Sequence, residues 1–168
     1  GIQKIELDHG YFFHGEETTP GSIEAIGKIS GEDHPFVEHF RFVKQFEEEG
    51  IVAKQTIPAP AQLLAELYRE DNGEKTKKIY PDDEQLIQDI AAAYRTVIRA
   101  LYAAGCRNLQ LDDCTWGAIV GEAAKQRYKS LGIDLEEVKA QLLEVNNLAL
   151  EEKPEDMVIT SHICRGNY

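Results

Sequence analysis

His162-Ile163-Cys164 sets an imidazole and a thiol two residues apart, directly after the apolar run Met157-Val158-Ile159-Thr160. That run reads as a buried strand, and side chains two apart on a strand leave from the same face. An imidazole nitrogen and a thiolate converging at a strand end are donors that a zinc ion accepts, although a zinc site takes three or four protein ligands. The competing reading is a histidine bonded to backbone beside a cysteine acting as a small apolar residue. A second cluster, Asp112-Asp113-Cys114-Thr115-Trp116, follows Asn108-Leu109-Gln110-Leu111. In an Asp pair after a strand, one carboxylate ordinarily caps the next helix and the other is solvated. Trp116 is a packing residue or a substrate platform. Cys114 could join His162 and Cys164 as a third ligand where strand ends converge, but its spacing does not demand it. Cys106 beside Gly105 reads as core, and His9, His14, His34 and His39 fall in no metal-binding arrangement.

The elements that must position these groups are legible from residue 50 onward. Ile51 to Ile57 reads as a strand stopped by Pro58 and Pro60, with a helix over 61–69. Asp71 to Lys78 is polar and carries Asn72-Gly73, which predicts a loop or a hairpin tip. From Asp82, the apolar positions Leu86, Ile87, Ile90, Tyr94, Val97, Ile98 and Leu101 recur at helical spacing until Gly105. Residues 108–111 form a short strand, helices follow over about 118–130 and 135–151, and Asp134 with Glu137 has capping-box spacing. The last strand leads to His162. Before residue 50, Ile2 to Leu7 and Ile23 to Ile29 look extended, and Pro35 to Glu49 forms an amphipathic helix.

Alternating strands and helices imply parallel strands joined by crossovers, in a closed barrel or an open doubly wound sheet. No Gly-x-Gly-x-x-Gly or Walker-type loop follows a strand, so the barrel is favoured. The expected fold class is α/β: part of a (β/α)8 TIM barrel with an N-terminal hairpin excursion over residues 1 to 30. Residues 1–168 are read as a single partial barrel domain. In such a fold, Thr56 to Pro60, Asp112 to Trp116 and Ser161 to Tyr168 all lie at C-terminal strand ends, where barrel sites are built.

Thirty acidic residues against 18 basic ones give a net charge of −12, which repels nucleic acid and anionic membranes. Three cysteines do not resemble a disulfide framework and are expected to be reduced. No apolar stretch approaches a membrane span. The expectation is a cytoplasmic protein. The chain opens on Gly1 and closes just after a strand, and it is read as a piece of a longer protein.

Lys54-Gln55-Thr56-Ile57-Pro58, Leu109-Gln110-Leu111-Asp112-Asp113 and His162-Ile163-Cys164-Arg165-Gly166-Asn167-Tyr168, in this order, resemble the cobalamin-independent methionine synthase family in its short bacterial single-barrel branch. The resemblance implies a zinc enzyme of methionine biosynthesis that transfers a methyl group, from 5-methyltetrahydrofolate, to the thiol of homocysteine. It also implies that His162 and Cys164 bind zinc, that a glutamate and a second cysteine beyond Tyr168 complete the site, and that Asp112 holds the amino group of homocysteine. No residue of the chain is assigned as the general acid. Where long methionine synthases carry Asp-Glu-Pro-Ala, this chain has Asp112-Asp113-Cys114-Thr115, and Ala118 stands where they carry a glutamate near the folate. The donor is thus open between a methylated folate and a simpler methylated compound, and another thiol acceptor is open too. Alone, the segment is expected to be inactive. The alternatives are a noncatalytic thiol- or metal-binding module and an inert half-barrel that pairs with missing parts or with another copy as a homo-oligomer.

Overall fold

The computed structural model describes residues 1–13 and 15–164. His14 and residues 165–168 of the motif that opens at His162 lie outside the described residues. Strands β1 (Ile2–Glu6) and β4 (Gly21–Ala25) pair antiparallel, and the short strands β2 (Phe12–Phe13) and β3 (Glu16–Glu17) pair between them. Helix α1 (Pro35–Lys44) follows. The parallel part of the chain is β5 (Gln55–Pro58), β6 (Asn108–Asp113) and β7 (Val158–Ile163), hydrogen-bonded in the order β5-β6-β7. Helices α2 (Pro60–Leu67), α3 (Asn72–Ile79) and α4 (Asp83–Ala103) connect β5 to β6. Helices α5 (Trp116–Ile119), α6 (Glu122–Ser130) and α7 (Leu135–Leu150) connect β6 to β7.

The expected barrel is not what these residues form. Among the described residues the parallel strands make a small three-stranded sheet, and β5 and β7 each pair with β6 alone. A closed barrel requires every strand to be paired on both sides. Strand-helix alternation is common to open and closed parallel sheets, so it could not distinguish them. The correct description is an α/β fold with a small open parallel sheet beside two antiparallel ribbons.

Among the described residues, one face of that sheet is covered. Ile57, Leu109 and Leu111 point into a core closed by Val37 and Phe40 of α1 and by Val97, Ile98 and Leu101 of α4. In β6 the alternation is strict, with Leu109, Leu111 and Asp113 buried and Asn108, Gln110 and Asp112 on the opposite, partly open face. A second core joins α2, α4 and α7 to the β1–β4 ribbon through Leu64, Leu67, Leu86, Ile90, Leu142 and Val145.

Local signals explain the long elements. The Asp82 carboxylate accepts from the Glu84 amide at 3.0 Å, and α4 then buries one apolar stripe. It ends in a Schellman motif: Gly105 at φ 97° lets the Cys106 amide reach Leu101 O at 2.9 Å while its own amide reaches Tyr102 O at 2.9 Å. Asp134 opens α7 by accepting from the Glu136 amide at 2.9 Å.

Three segments depart from the pattern reading. The 71–78 stretch is helix α3 and not a loop. Its buried donors are satisfied internally: Asn72 donates to Ser22 Oγ and Ile23 O at 3.2 and 3.0 Å, and Thr76 donates to Leu67 O at 2.7 Å, while Asn72 Oδ1 is buried with no acceptor role among the described residues. The strand expected from Ile51 begins only at Gln55. Gly50 at φ 80° turns the chain back so that Ile51 bridges Glu48, leaving Ile51 and Val52 exposed. The helix expected over 118–130 is broken at Gly121, at φ 91°, into α5 and α6.

Candidate functional site

Register brings the two chemical clusters together. Across β6 and β7, Gln110 lies opposite Thr160, Asp112 opposite His162 and Asp113 opposite Ile163. Residues opposite one another in a parallel pair project from the same face. Gln110, Asp112, Thr160 and His162 therefore share the face left open among the described residues, and the row continues past the strand ends to Cys114 and Cys164, close enough that the Cys164 thiol perturbs that of Cys114. His162 is exposed, while Asp112 and Cys164 are half-buried.

Asp112 is oriented from its own strand. Gln110 Nε2 donates to Asp112 Oδ1 at 2.6 Å, and Lys54 Nζ donates to Gln110 Oε1 at 2.7 Å. This chain holds one carboxylate oxygen and leaves the second side of the group toward the open face. Its main chain is fixed as well, because Ala59 N donates to Asp112 O at 2.9 Å.

Asp113 fills neither role expected of the pair: α5 has Thr115 at its N-cap with no side-chain cap bond, and Asp113 is not solvated. Its side chain is fully buried. Oδ1 accepts from the Thr115 amide at 3.1 Å and from the Thr115 hydroxyl, and Oδ2 accepts from Trp116 Nε1 and Asn146 Nδ2, each at 3.0 Å. Asn146 Oδ1 in turn accepts from the Ala61 amide at 2.9 Å, so one carboxylate ties β6 to α5, α7 and the start of α2. The Asp113 carbonyl also accepts from the Cys164 amide at 3.1 Å. A buried carboxylate is tolerable when its lone pairs are filled in this way. Trp116 is thus fixed by its indole N–H and packs against the core.

The electrostatics of this corner are negative. The Cys114 thiol is pushed up to about 11, first by partial burial, then by its contact with the Cys164 thiol and by the carboxylates of Asp112 and Asp113. Burial, with the Asp113 charge adding to it, raises the Tyr94 phenol above its ordinary range while Tyr94 OH donates to Pro58 O at 2.8 Å.

The donor chemistry of His162 and Cys164 suits zinc, but their number does not complete a site. Among the described residues, no group of three or more His, Cys, Asp or Glu side chains is arranged to hold one metal ion. The pocket lined by Ile5 to Asp8 and Glu70 to Asn72 lies on the β1 side, away from these strand ends. Sequence reasoning missed Asn146 and Gln62, whose Oε1 accepts from the Cys114 amide at 3.2 Å. Asn146 did carry a signal, since it sits four residues after Leu142 beside the buried stripe of α7. Gln62 carried none. No helix among the described residues is long and apolar enough to cross a membrane.

No family model matches the chain. The chain is 36% identical to the uncharacterised protein YxjH of Bacillus subtilis and 32% identical to the uncharacterised protein YxjG of the same organism. Both alignments cover all of this chain and 43% of the relative, so the chain spans less than half the length of the curated relatives it matches. A crystal structure from Listeria monocytogenes, of a protein provisionally named a vitamin-B12-independent methionine synthase, is 37% identical with a TM-score of 0.66. That match covers 87% of this chain and 42% of the Listeria chain. The chain is thus similar in sequence and in fold to a protein of that provisional name.

Proposed function

We propose that the chain is part of a zinc-dependent methyltransferase of the methionine synthase type, which methylates the thiol of homocysteine. The observation that carries the reading is the row Asp112, His162 and Cys164 on one open face, in a chain similar to the Listeria protein. His162 and Cys164 would hold zinc together with donors from outside these 168 residues. Bound zinc supplies a Lewis acid that favours the thiolate of a substrate thiol at neutral pH.

The chain's own residues bind and orient. Asp112, steadied on one oxygen by Gln110, accepts the ammonium of an amino-acid substrate in a charge-assisted hydrogen bond. His162, directly opposite, then flanks the substrate's other end. Asp113 holds the Cys164 backbone through its carbonyl and the surrounding loop through its carboxylate, so the row is preorganised. A methylated folate is the methyl donor we favour, and a simpler methylated compound is the comparison donor in the test.

The test uses the full-length protein, with zinc content by elemental analysis and methionine formation from homocysteine and each donor by mass spectrometry. Cys164→Ser should lose both zinc and turnover. Asp112→Asn should keep zinc and raise the KM for homocysteine by about tenfold or more, the loss of one charged hydrogen bond. Zinc retained with no methylation from either donor would refute the enzyme and leave a noncatalytic metal-binding module.

A further inference from the structure

Cys114 and Cys164 stand one residue beyond the paired register of β6 and β7, at the same level of adjacent parallel strands. Strands so paired run ~4.8 Å apart, inside the span of about 4.4–6.8 Å between Cα atoms that a disulfide bridges. The Cys164 amide is bonded to Asp113 O at 3.1 Å, so the backbone holds the pair level. Cys114 is exposed and Cys164 half-buried, so a small oxidant reaches them, whereas the third cysteine, Cys106, is fully buried with its thiol donating to Asn108 O at 3.3 Å.

We infer that Cys114 and Cys164 are a vicinal redox pair, which hydrogen peroxide or another hydroperoxide converts to an intramolecular disulfide across the ends of β6 and β7. One sulfur attacks the peroxide oxygen, breaking the O–O bond, forming a sulfenic acid and releasing water. The second sulfur attacks the sulfenic sulfur, the S–O bond breaks, the S–S bond forms, and the hydroxyl leaves as a second water with the thiol proton. Two thiols lose two electrons in total and one peroxide gains them. The crosslink does not depend on methyl transfer. Its consequence rests on the reading above: a Cys164 sulfur in a disulfide cannot donate to zinc, so oxidation and metal binding exclude one another.

The test treats the full-length, chelator-stripped protein with hydrogen peroxide, alkylates the remaining thiols and maps tryptic peptides by mass. Peptides 108–125 and 140–165 hold Cys114 and Cys164, the Lys153-Pro154 bond being resistant to trypsin. They should be recovered joined, two hydrogens lighter than their sum, and be separated by reductant. Cys114→Ser should abolish the joined species. Recovery of the two peptides separately, alkylated or as sulfinic acids, or joined to other cysteines, would overturn the pair. Zinc-loaded protein should crosslink about tenfold more slowly or less, since a metal-bound thiolate is shielded. An equal rate with zinc bound would keep the redox pair and remove Cys164 from the metal site, so the two ideas fail separately.

Discussion

Replacing Asp113 by Asn tests whether one buried carboxylate organises the strand ends. The parent group accepts four hydrogen bonds, two on each oxygen. An amide of the same shape offers one acceptor oxygen. With that oxygen toward Trp116 and Asn146, its NH2 faces Thr115, whose hydroxyl can rotate to accept but whose amide N–H is orphaned. With the opposite orientation, two donors on Trp116 and Asn146 meet a third. The better orientation loses one charge-assisted bond outright and weakens the other three, at about 1.5–3 kcal/mol for a bond to a charged group. Removing a buried charge returns part of that by relieving desolvation. The expected net loss is about 2–4 kcal/mol in urea unfolding, with Asp113→Ala at the upper end or beyond, because four donors are then stranded. Trp116 fluorescence should shift in the native state of Asp113→Ala, where the indole loses its acceptor, and less in Asp113→Asn, where the amide oxygen still accepts from it. Asp113→Asn within about 0.5 kcal/mol of the parent, the range of an ordinary surface change, would refute the hub.

Two further outcomes follow from the caps. His34 Nδ1 accepts from the Phe36 amide at 3.3 Å at the start of α1, and burial, with the nearby His39 adding to it, holds its pKa below the ordinary 6.5. A depressed folded value means that the neutral, accepting form is favoured. The cap's contribution is whole above 6.5 and is lost as pH falls through the lower folded value. His34→Asn, a cap that does not titrate, should flatten the acid side of a stability-against-pH curve by about 0.5–2 kcal/mol; an unchanged curve counts against the cap. Gly105→Ala should cost about 1–2 kcal/mol, because φ 97° is a left-handed conformation and its new Cβ would lie 2.8 Å from Lys44 Cε. Thermal melts that match the parent would show that the Schellman end of α4 adapts freely.

The sequence by itself determined the elements whose cause is local. The α4 stripe, the Asp82 and Asp134 caps, the stop at Gly105 and the position of the strand leading to His162 are each set by neighbouring residues, and each forms where the pattern places it, although that strand, read as buried, exposes Val158 and Ile163 at the edge of the sheet. The two chemical clusters were equally legible, because alternation on a strand is a local property that puts His162 and Cys164 on one face. Tertiary structure decided the rest. Whether the parallel strands close depends on pairing partners for β5 and β7, and no residue within either strand encodes that. Helix α3 exists because Asn72 and Thr76 find acceptors on β4 and α2, a satisfaction invisible to polarity alone. The division of labour in Asp112-Asp113 was likewise a matter of which face meets the helices: Asp113 shares the buried side with Leu109 and Leu111 and finds Asn146 there, while Asp112, one residue earlier, faces out beside His162.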